Sequence, residues 1–147
     1  MNTIGYFISD CGRRVRRVFD QRVRELGITG PQARLLLLVN REPGRAQSHY
    51  ANELDVEPIT MTRMLDRMEE AGLIERCADP DDRRARLIRC TGHGQSLIVR
   101  IEDAAAAFNA DMLSHFAAED RQALQALIER LSERINEMLV TREDDHG

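Results

Sequence analysis

Apolar positions recur with a helical period through the middle of the chain. From Ser48 to Gly72, SHYANELDVEPITMTRMLDRMEEAG predicts two helices joined by the short link LDV. The second helix carries one apolar stripe at spacings of three and four: Met61, Met64, Leu65 and Met68. Pro58 suits the first helical position, and Asp55 suits the turn because aspartate tolerates a left-handed backbone. The pattern is typical of a helix-turn-helix.

The other face of this second helix carries candidate base-reading residues. They are small, hydroxyl-bearing, methyl-bearing or basic: Pro58, Ile59, Thr60, Thr62 and Arg63. An arginine can bond guanine in bidentate fashion, and a threonine or isoleucine methyl can touch a thymine methyl. An isolated helix with this face is more commonly just solvated, so the interpretation depends on the segment that comes after the helix.

Two short strand candidates come next, after Gly72 ends the helix: LIERCA (residues 73–78) and ARLIRC (85–90). The loop between them, DPDDRR, has the Asp and Pro content of a turn. A hairpin directly after a helix-turn-helix is a wing, and its arginines could reach phosphates or a narrow minor groove: Arg83, Arg84, Arg86 and Arg89. Asp82 would be repelled by DNA, so we expect it to pair with a neighbouring arginine and fix that side chain's direction.

Amphipathic segments flank this region. The N-terminal segment places apolar residues along one predicted helix: Ile4, Phe7, Ile8, Cys11, Val15, Val18 and Val23. The C-terminal segment does the same with Leu124, Leu127, Ile128, Leu131, Ile135, Met138 and Leu139. Thr91 can cap a further helix that begins near His93. A winged helix does not need these stripes for its own core, so a second copy of the chain is the economical partner.

Composition narrows the class of protein. The chain has 147 residues, of which 42% are hydrophobic and 31% charged, as in one ordinary globular domain. No apolar run approaches the ~20 residues of a membrane span, and the N-terminus is the reverse of a secretory signal, so we expect a cytoplasmic protein without a membrane partner.

The net charge of −4 hides an asymmetry between the ends of the chain. Residues 1–50 carry nine Arg and four acidic residues, whereas residues 102–147 carry four Arg and eleven acidic residues. A negative net charge on the whole chain therefore does not exclude a polyanionic partner.

Candidate chemistry is sparse. Three cysteines without a CxxC pair predict reduced thiols, and Cys11 lies on an apolar stripe, which favours core packing. The histidines have no metal-ligand spacing, so we predict neither a metal nor another cofactor: His49, His93, His115 and His146. The chain lacks the GxSxG, HExxH, phosphate-loop and dinucleotide motifs, which argues against an enzyme.

The stretch ITMTRMLDRMEEAGLIERCADPDDRRARLIRCTGHG resembles the reading helix and the DxRRxxxxxxT wing of MarR-type winged-helix transcriptional regulators. LGITGPQARLLLLV is similar to the LxLTxxQ opening of that family's second helix. With the flanking helices, the resemblance covers nearly the whole chain. Asp55 stands where the family often has Gly, and Cys90 where a Leu is usual; neither change should abolish the fold.

The resemblance implies a homodimeric regulator, a repressor in our prediction, that binds a palindromic operator in double-stranded DNA. Arg83 would enter the minor groove, while Thr60, Thr62 and Arg63 would read the major groove. Arg13 and Arg16 lie three apart on the first helix, at positions resembling those that hold anionic aromatic effectors in some relatives. A solvated basic stripe is the alternative there.

The predicted fold is mostly α, with a small β-hairpin wing. Residues 30–92 would form the winged helix-turn-helix DNA-binding part, and residues 1–29 and 93–147 the helical dimerisation part. Two alternatives stay open: a protein-interaction module that keeps the winged fold without reading DNA, and a redox-sensing regulator that uses Cys11.

Overall fold

The computed structural model describes the backbone of residues 3–144 and the side chains of residues 3–140. Within that range the chain forms six helices and one three-stranded antiparallel sheet. The elements are α1 (Ile4–Arg24), α2 (Gly30–Arg41), β1 (Arg45–Ala46), α3 (Gln47–Glu53), α4 (Pro58–Glu70), β2 (Ile74–Ala78), β3 (Arg86–Cys90), α5 (Gly92–Met112) and α6 (Ala118–Asp144). The predicted mostly helical fold with a hairpin wing is confirmed.

The chain divides after Phe108 into two compact units, and the first contains the core. Helix α2 begins with a capping box, in which the Gln32 N–H donates to Thr29 Oγ1 and the Thr29 N–H donates to Gln32 Oε1. The largest fully buried side chains come from every element but α6 and β1: Val23, Leu35, Leu36, Val39, Tyr50, Met61, Leu65, Met68, Ile74, Ile88 and Ile101. The predicted stripe of α4 therefore faces the core, with Met64 partly buried beside it.

The backbone conformations that end and join the helices agree with the sequence signals. Asp55, in the turn between α3 and α4, has a φ of 51°, the left-handed conformation that the pattern predicts. Gly72 has a φ of 72° after α4, where the Leu73 N–H donates to Met68 O and the Gly72 N–H to Glu69 O, both at 2.9 Å. This pair of bonds is a Schellman motif, so the glycine ends the helix and aims the chain into β2.

The sheet has the strand order β1-β3-β2, so β3 lies in the centre. Strands β2 and β3 form the predicted hairpin, with Arg76 opposite Ile88. The two-residue β1 was not predicted, because it is too short to show alternation. The buried Tyr50 holds it in place: the Tyr50 hydroxyl donates to Glu42 O at 2.6 Å and accepts from the Arg45 N–H at 3.1 Å.

Helix α5 begins at Gly92, and Thr91 caps it as predicted, because the Gly94 N–H donates to Thr91 Oγ1 at 3.0 Å. Gly94 lies against the wing base, where a Cβ would come within 2.1 Å of Leu73 O. The residues after the wing therefore pack tightly on the chain leaving α4.

The flanking stripes are exposed in the single chain. On α1 the exposed large apolar side chains are Ile4, Tyr6, Phe7, Ile8 and Val18. The second unit exposes Leu124, Leu127, Ile128, Ile135, Met138, Leu139 and Val140 of α6. Cys11 is also exposed, so the expectation that it packs in this chain's core is wrong: its stripe reaches that core at Val23, whereas Phe7 and Ile8 near Cys11 are exposed. Between residues 3 and 144, no helix combines the length and apolar character needed to cross a membrane.

Candidate nucleic-acid interface

The exposed side of α4 begins at its first residue. Pro58, Thr60 and Arg63 are exposed, and 61% of the Ile59 side chain surface is accessible. They lie on the first two turns, away from the core-facing stripe. The structure thus brings four of the five predicted base-reading residues to one solvent-facing surface.

Thr62, the fifth, is half-buried and already hydrogen-bonded. Its hydroxyl donates to Pro58 O at 3.0 Å and accepts from Gln47 Nε2 of α3 at 2.5 Å. A hydroxyl has one proton to donate, and here that proton is used within the protein. Thr62 therefore links the two helices of the helix-turn-helix, a role that the spacing of the sequence did not reveal.

The wing tip, residues 79–85, is a compact loop. The Asp79 N–H donates to Ala85 O at 3.3 Å, and the Ala85 N–H donates to Asp82 O at 3.1 Å. Arg83, Arg84 and Arg86 are all exposed there. The loop thus presents two guanidinium groups to solvent and the start of β3 a third, as the sequence predicts.

The expected pairing of Asp82 with a neighbouring arginine side chain is wrong. Its Oδ1 accepts the backbone N–H of Arg84 at 2.9 Å, which is a local turn of the kind that aspartate favours. Among the described side chains, Asp82 makes no ion pair within 4.0 Å. Asp82 shapes the loop backbone instead of directing an arginine side chain, because its carboxylate lies within hydrogen-bond distance of the backbone N–H two residues ahead.

An open groove of about 390 Å³ separates the wing from the helix-turn-helix. Arg84 and Arg86 line it from the wing side, and Gln47, Ser48 and Asn52 of α3 line it with Pro58 of α4. The polar residues of α3 were missed in the sequence, although their alternation with Tyr50 and Ala51, which are buried, could have indicated an exposed face. The groove places basic and amide side chains beside the first turn of the reading helix.

The two candidate ligand-binding arginines lie together on α1, on an open surface that Arg17 and Arg24 also line. Arg13 Nη2 lies 2.5 Å from Asp10 Oδ1, and Arg14 contacts the other oxygen of that carboxylate at 2.9 Å. The hydrogen bond from Arg13 lowers the pKa of Asp10. Arg13 and Arg16 do share a face, but Arg13 already has an anionic partner.

The three thiols are free. Cys90 packs against the core, with Sγ 3.8 Å from Leu36 O, and burial raises its pKa to about 11. It behaves as a small, partly buried hydrophobic residue, close to what the sequence suggests. Within the described part of the chain, no three His, Cys, Asp or Glu side chains are arranged to hold a metal ion.

A helix-turn-helix with an exposed second helix, followed by a basic hairpin, defines a winged-helix protein of the DNA-binding class. The model of the MarR family matches residues 26–85. A MarR crystal structure aligns with a TM-score of 0.84 at 28% identity, covering 93% of each chain.

Two further structures extend the likeness. The transcriptional repressor CouR, bound to a 23-mer DNA duplex, aligns at 29% identity with a TM-score of 0.74, covering 88% of this chain and 92% of CouR. Apo MarR from E. coli aligns at 21% identity with a TM-score of 0.84, covering 89% and 97%. Residues 26–85 thus match the MarR family, and over most of its length the chain is similar to solved winged-helix regulators of the MarR type.

Proposed function

We propose that the protein is a homodimeric repressor that binds a palindromic operator through α4 and the wing. The observation that carries this proposal is the shared surface: the exposed turns of α4 and the wing arginines flank one groove. A duplex lying across this surface would meet hydrogen-bond donors on both sides of the groove. CouR, a transcriptional repressor seen on a DNA duplex, supports the direction of regulation.

The two parts of the surface would do different work. Arg63 is suited to a bidentate contact with guanine, while Ile59 and Thr60 offer methyl groups to thymine. Thr62 would contribute apolar contact and the placement of α4, because its hydroxyl proton is engaged.

The wing would supply contacts that depend less on base sequence. Arg83, at the exposed tip, would enter the minor groove. Arg84 and Arg86, beside the first turn of α4, would lie near phosphates, with Asp82 shaping the loop that presents them.

The exposed stripes of α1 and α6 support the homodimer. Phe7 of α1 is 55% exposed and Leu127 of α6 is 60% exposed. Other large exposed apolar side chains recur along each of these helices. A second copy would remove these stripes from water. Two reading helices related by a two-fold axis would then meet half-sites about 10 bp apart, which requires a palindrome.

We assign DNA binding to residues 30–92 and dimerisation to residues 1–29 and 93–147. The start of α5 connects the two parts, since Leu97, Ile98 and Ile101 are buried in the core that α4 also packs against. Because the chromosome is the target, we expect the protein in the cytoplasm.

Selection of binding sites from a random duplex library tests this function. We expect a recovered palindrome, and an affinity that falls steeply as salt rises, because arginine contacts release counterions from DNA. Absence of salt-dependent binding to any duplex would instead support the protein-interaction module.

We further propose that a small anionic aromatic ligand releases the protein from DNA by binding Arg13 and Arg16. Their common face on α1 supports this, and Asp10 would have to yield its contact with Arg13. Benzoate should weaken operator binding by the parent but not by the Arg13→Ala, Arg16→Ala double variant. Arg130→Ala, a change at an exposed arginine of α6, is the control and should keep the response. An unchanged response in the double variant would return both arginines to a solvated stripe.

A further inference from the structure

Arg76 differs from the other arginines of the wing. It lies in the middle of β2, and its side chain is 17% exposed, whereas Arg83, Arg84 and Arg86 are exposed. Its guanidinium contacts α4 rather than solvent. The linear pattern assigns this arginine no role, because a charged residue in a short strand shows no partner there.

The contacts of Arg76 span two turns of the reading helix. Nη1 lies 2.7 Å from Asp66 Oδ1 and 2.9 Å from Glu69 Oε2, and Nη2 donates to Thr62 O at 3.3 Å. The backbone N–H of Arg76 donates to the other carboxylate oxygen of Glu69 at 3.2 Å. Strand β2 is therefore tied to α4 by both backbone and side chain.

We propose that Arg76 is a positioning residue for DNA binding, which holds the wing at a fixed angle to the reading helix. This inference rests on the proposed use of α4 and the wing against one duplex. A base contact from Arg63 and a minor-groove contact from Arg83 form together only if the two elements keep their relative placement. Arg76 joins those elements directly.

The chemistry of the side chain explains why an arginine serves here. A planar guanidinium offers five N–H donors in a rigid fork and can reach three acceptors at once. A lysine would keep the charge but reach these acceptors with a single nitrogen. The fork also offsets two carboxylates, Asp66 and Glu69, which are 59% and 43% exposed close to the surface proposed to meet phosphates.

The Arg76→Lys variant separates position from charge. We expect operator affinity to fall about tenfold, since strong charged hydrogen bonds are lost, while the salt slope stays at the parental value. Arg67→Lys is the matched control: Arg67 is an exposed arginine of α4, the helix that Arg76 contacts, and its variant should bind as the parent does. Thermal melting of each variant confirms that it is folded.

Coupling to Glu69 supplies a second readout that a general loss of stability would not produce. Because both changes break the same link, Arg76→Lys combined with Glu69→Gln should bind DNA little worse than the weaker single variant. Combined with Glu70→Gln, a change at the exposed neighbour, Arg76→Lys should show independent effects. Should Arg76→Lys fail to fold, Glu69→Gln alone should still weaken operator binding at an unchanged salt slope.

Each other outcome overturns the proposal. Parental affinity in Arg76→Lys, or multiplied losses in the double variant with Glu69→Gln, would show that the link does not position the wing. A salt slope lower by about one charge per subunit in Arg76→Gln would make Arg76 a phosphate contact. A parent without salt-dependent DNA binding would defeat the proposed function itself, and this positional role with it.

Discussion

At the scale of single residues, Arg63 and Arg83 are both exposed arginines, but they lie on elements that would approach different parts of DNA. Arg63 lies in the second turn of α4, and Arg83 lies at the tip of the wing. A helix in the major groove meets base edges, whereas a wing tip meets phosphates and the minor groove. Equal charge therefore leads to unequal effects on sequence preference.

Replacing Arg63 by alanine should reduce specificity. The loss of a bidentate base contact should cost roughly 1–3 kcal/mol at the operator and relax preference at one base position. Operator and random-duplex affinities, measured side by side, check this. Equal weakening on both duplexes would place Arg63 on the phosphate backbone instead.

Replacing Arg83 by alanine should weaken binding to most sequences. The salt slope should fall by about one charge per subunit if Arg83 neutralises a phosphate region, with residual preference for A·T-rich minor grooves. Titrations at several salt concentrations give the slope. Parental binding at every salt concentration would mean that the cluster DPDDRRARLIR is not a DNA-binding wing.

Cys90 should react slowly with thiol reagents in the folded protein. Its pKa rises from 9.0 to about 11, so at pH 8 the thiolate fraction should be about a hundredfold smaller than in the unfolded chain. A variant that keeps Cys90 as its one cysteine, treated with a disulfide reagent with and without urea, measures the ratio. Because burial disfavours the thiolate, this group should reduce folded-state stability as pH rises above 9.0. Equal rates in the two states would contradict the burial of this thiol.

At the scale of elements, the wing depends on a local turn. The Asp82 side chain holds the Arg84 backbone N–H, and the Ala85 N–H donates to the Asp82 carbonyl, so one residue shapes the loop that carries Arg83. Hydrogen bonds within the loop, rather than an ion pair, therefore fix the backbone from which the arginine side chains extend.

Two substitutions at Asp82 distinguish a role in the hydrogen-bonded turn from a role in an ion pair. Asp82→Asn keeps an oxygen acceptor without the charge and should retain most of the DNA affinity, whereas Asp82→Ala loses the acceptor and should weaken binding several-fold, by about 0.5–1.5 kcal/mol. Affinity titrations at one salt concentration compare the two. If Asp82→Asn weakens binding as much as Asp82→Ala, the carboxylate charge matters, and an ion pair with an arginine would be the better explanation.

At the scale of the whole molecule, exposed apolar helices predict self-association. Leu127 is 60% exposed on α6, where Leu124 and Ile128 are also exposed. Substituting Leu127 by glutamate should favour monomers, because burying an unpaired carboxylate at an apolar interface is unfavourable. Removing residues 119–147 should give monomers or aggregates with poor operator affinity.

Sedimentation of the parent and the Leu127→Glu variant at micromolar concentration tests the dimer. Arg130→Glu is the matched control: it changes an exposed polar residue on the same helix and should stay dimeric. A monomeric parent that still binds a palindrome tightly would contradict the proposed assembly.

The sequence by itself determined those features that depend on neighbours a few positions apart. The stripe of α4, the left-handed Asp55, the helix end at Gly72 and the cap from Thr91 all arise from spacing and backbone preference within one or two turns. These local rules were enough to predict a helix-turn-helix and its wing. They also identified the exposed side chains of α4 and the wing tip, except that Thr62 is half-buried.

Tertiary structure alone decided which polar groups meet. Thr62 contacts Gln47 across 15 positions, and Arg76 reaches Thr62 across 14. The Tyr50 hydroxyl bonds the backbone of Glu42, just after α2, and that of Arg45 in the unpredicted β1. Such contacts depend on how the helices and strands pack, and a linear pattern carries charge and periodicity but not the distance between elements. The sequence therefore indicated the surface that would meet DNA, while packing decided which residues hold that surface in place.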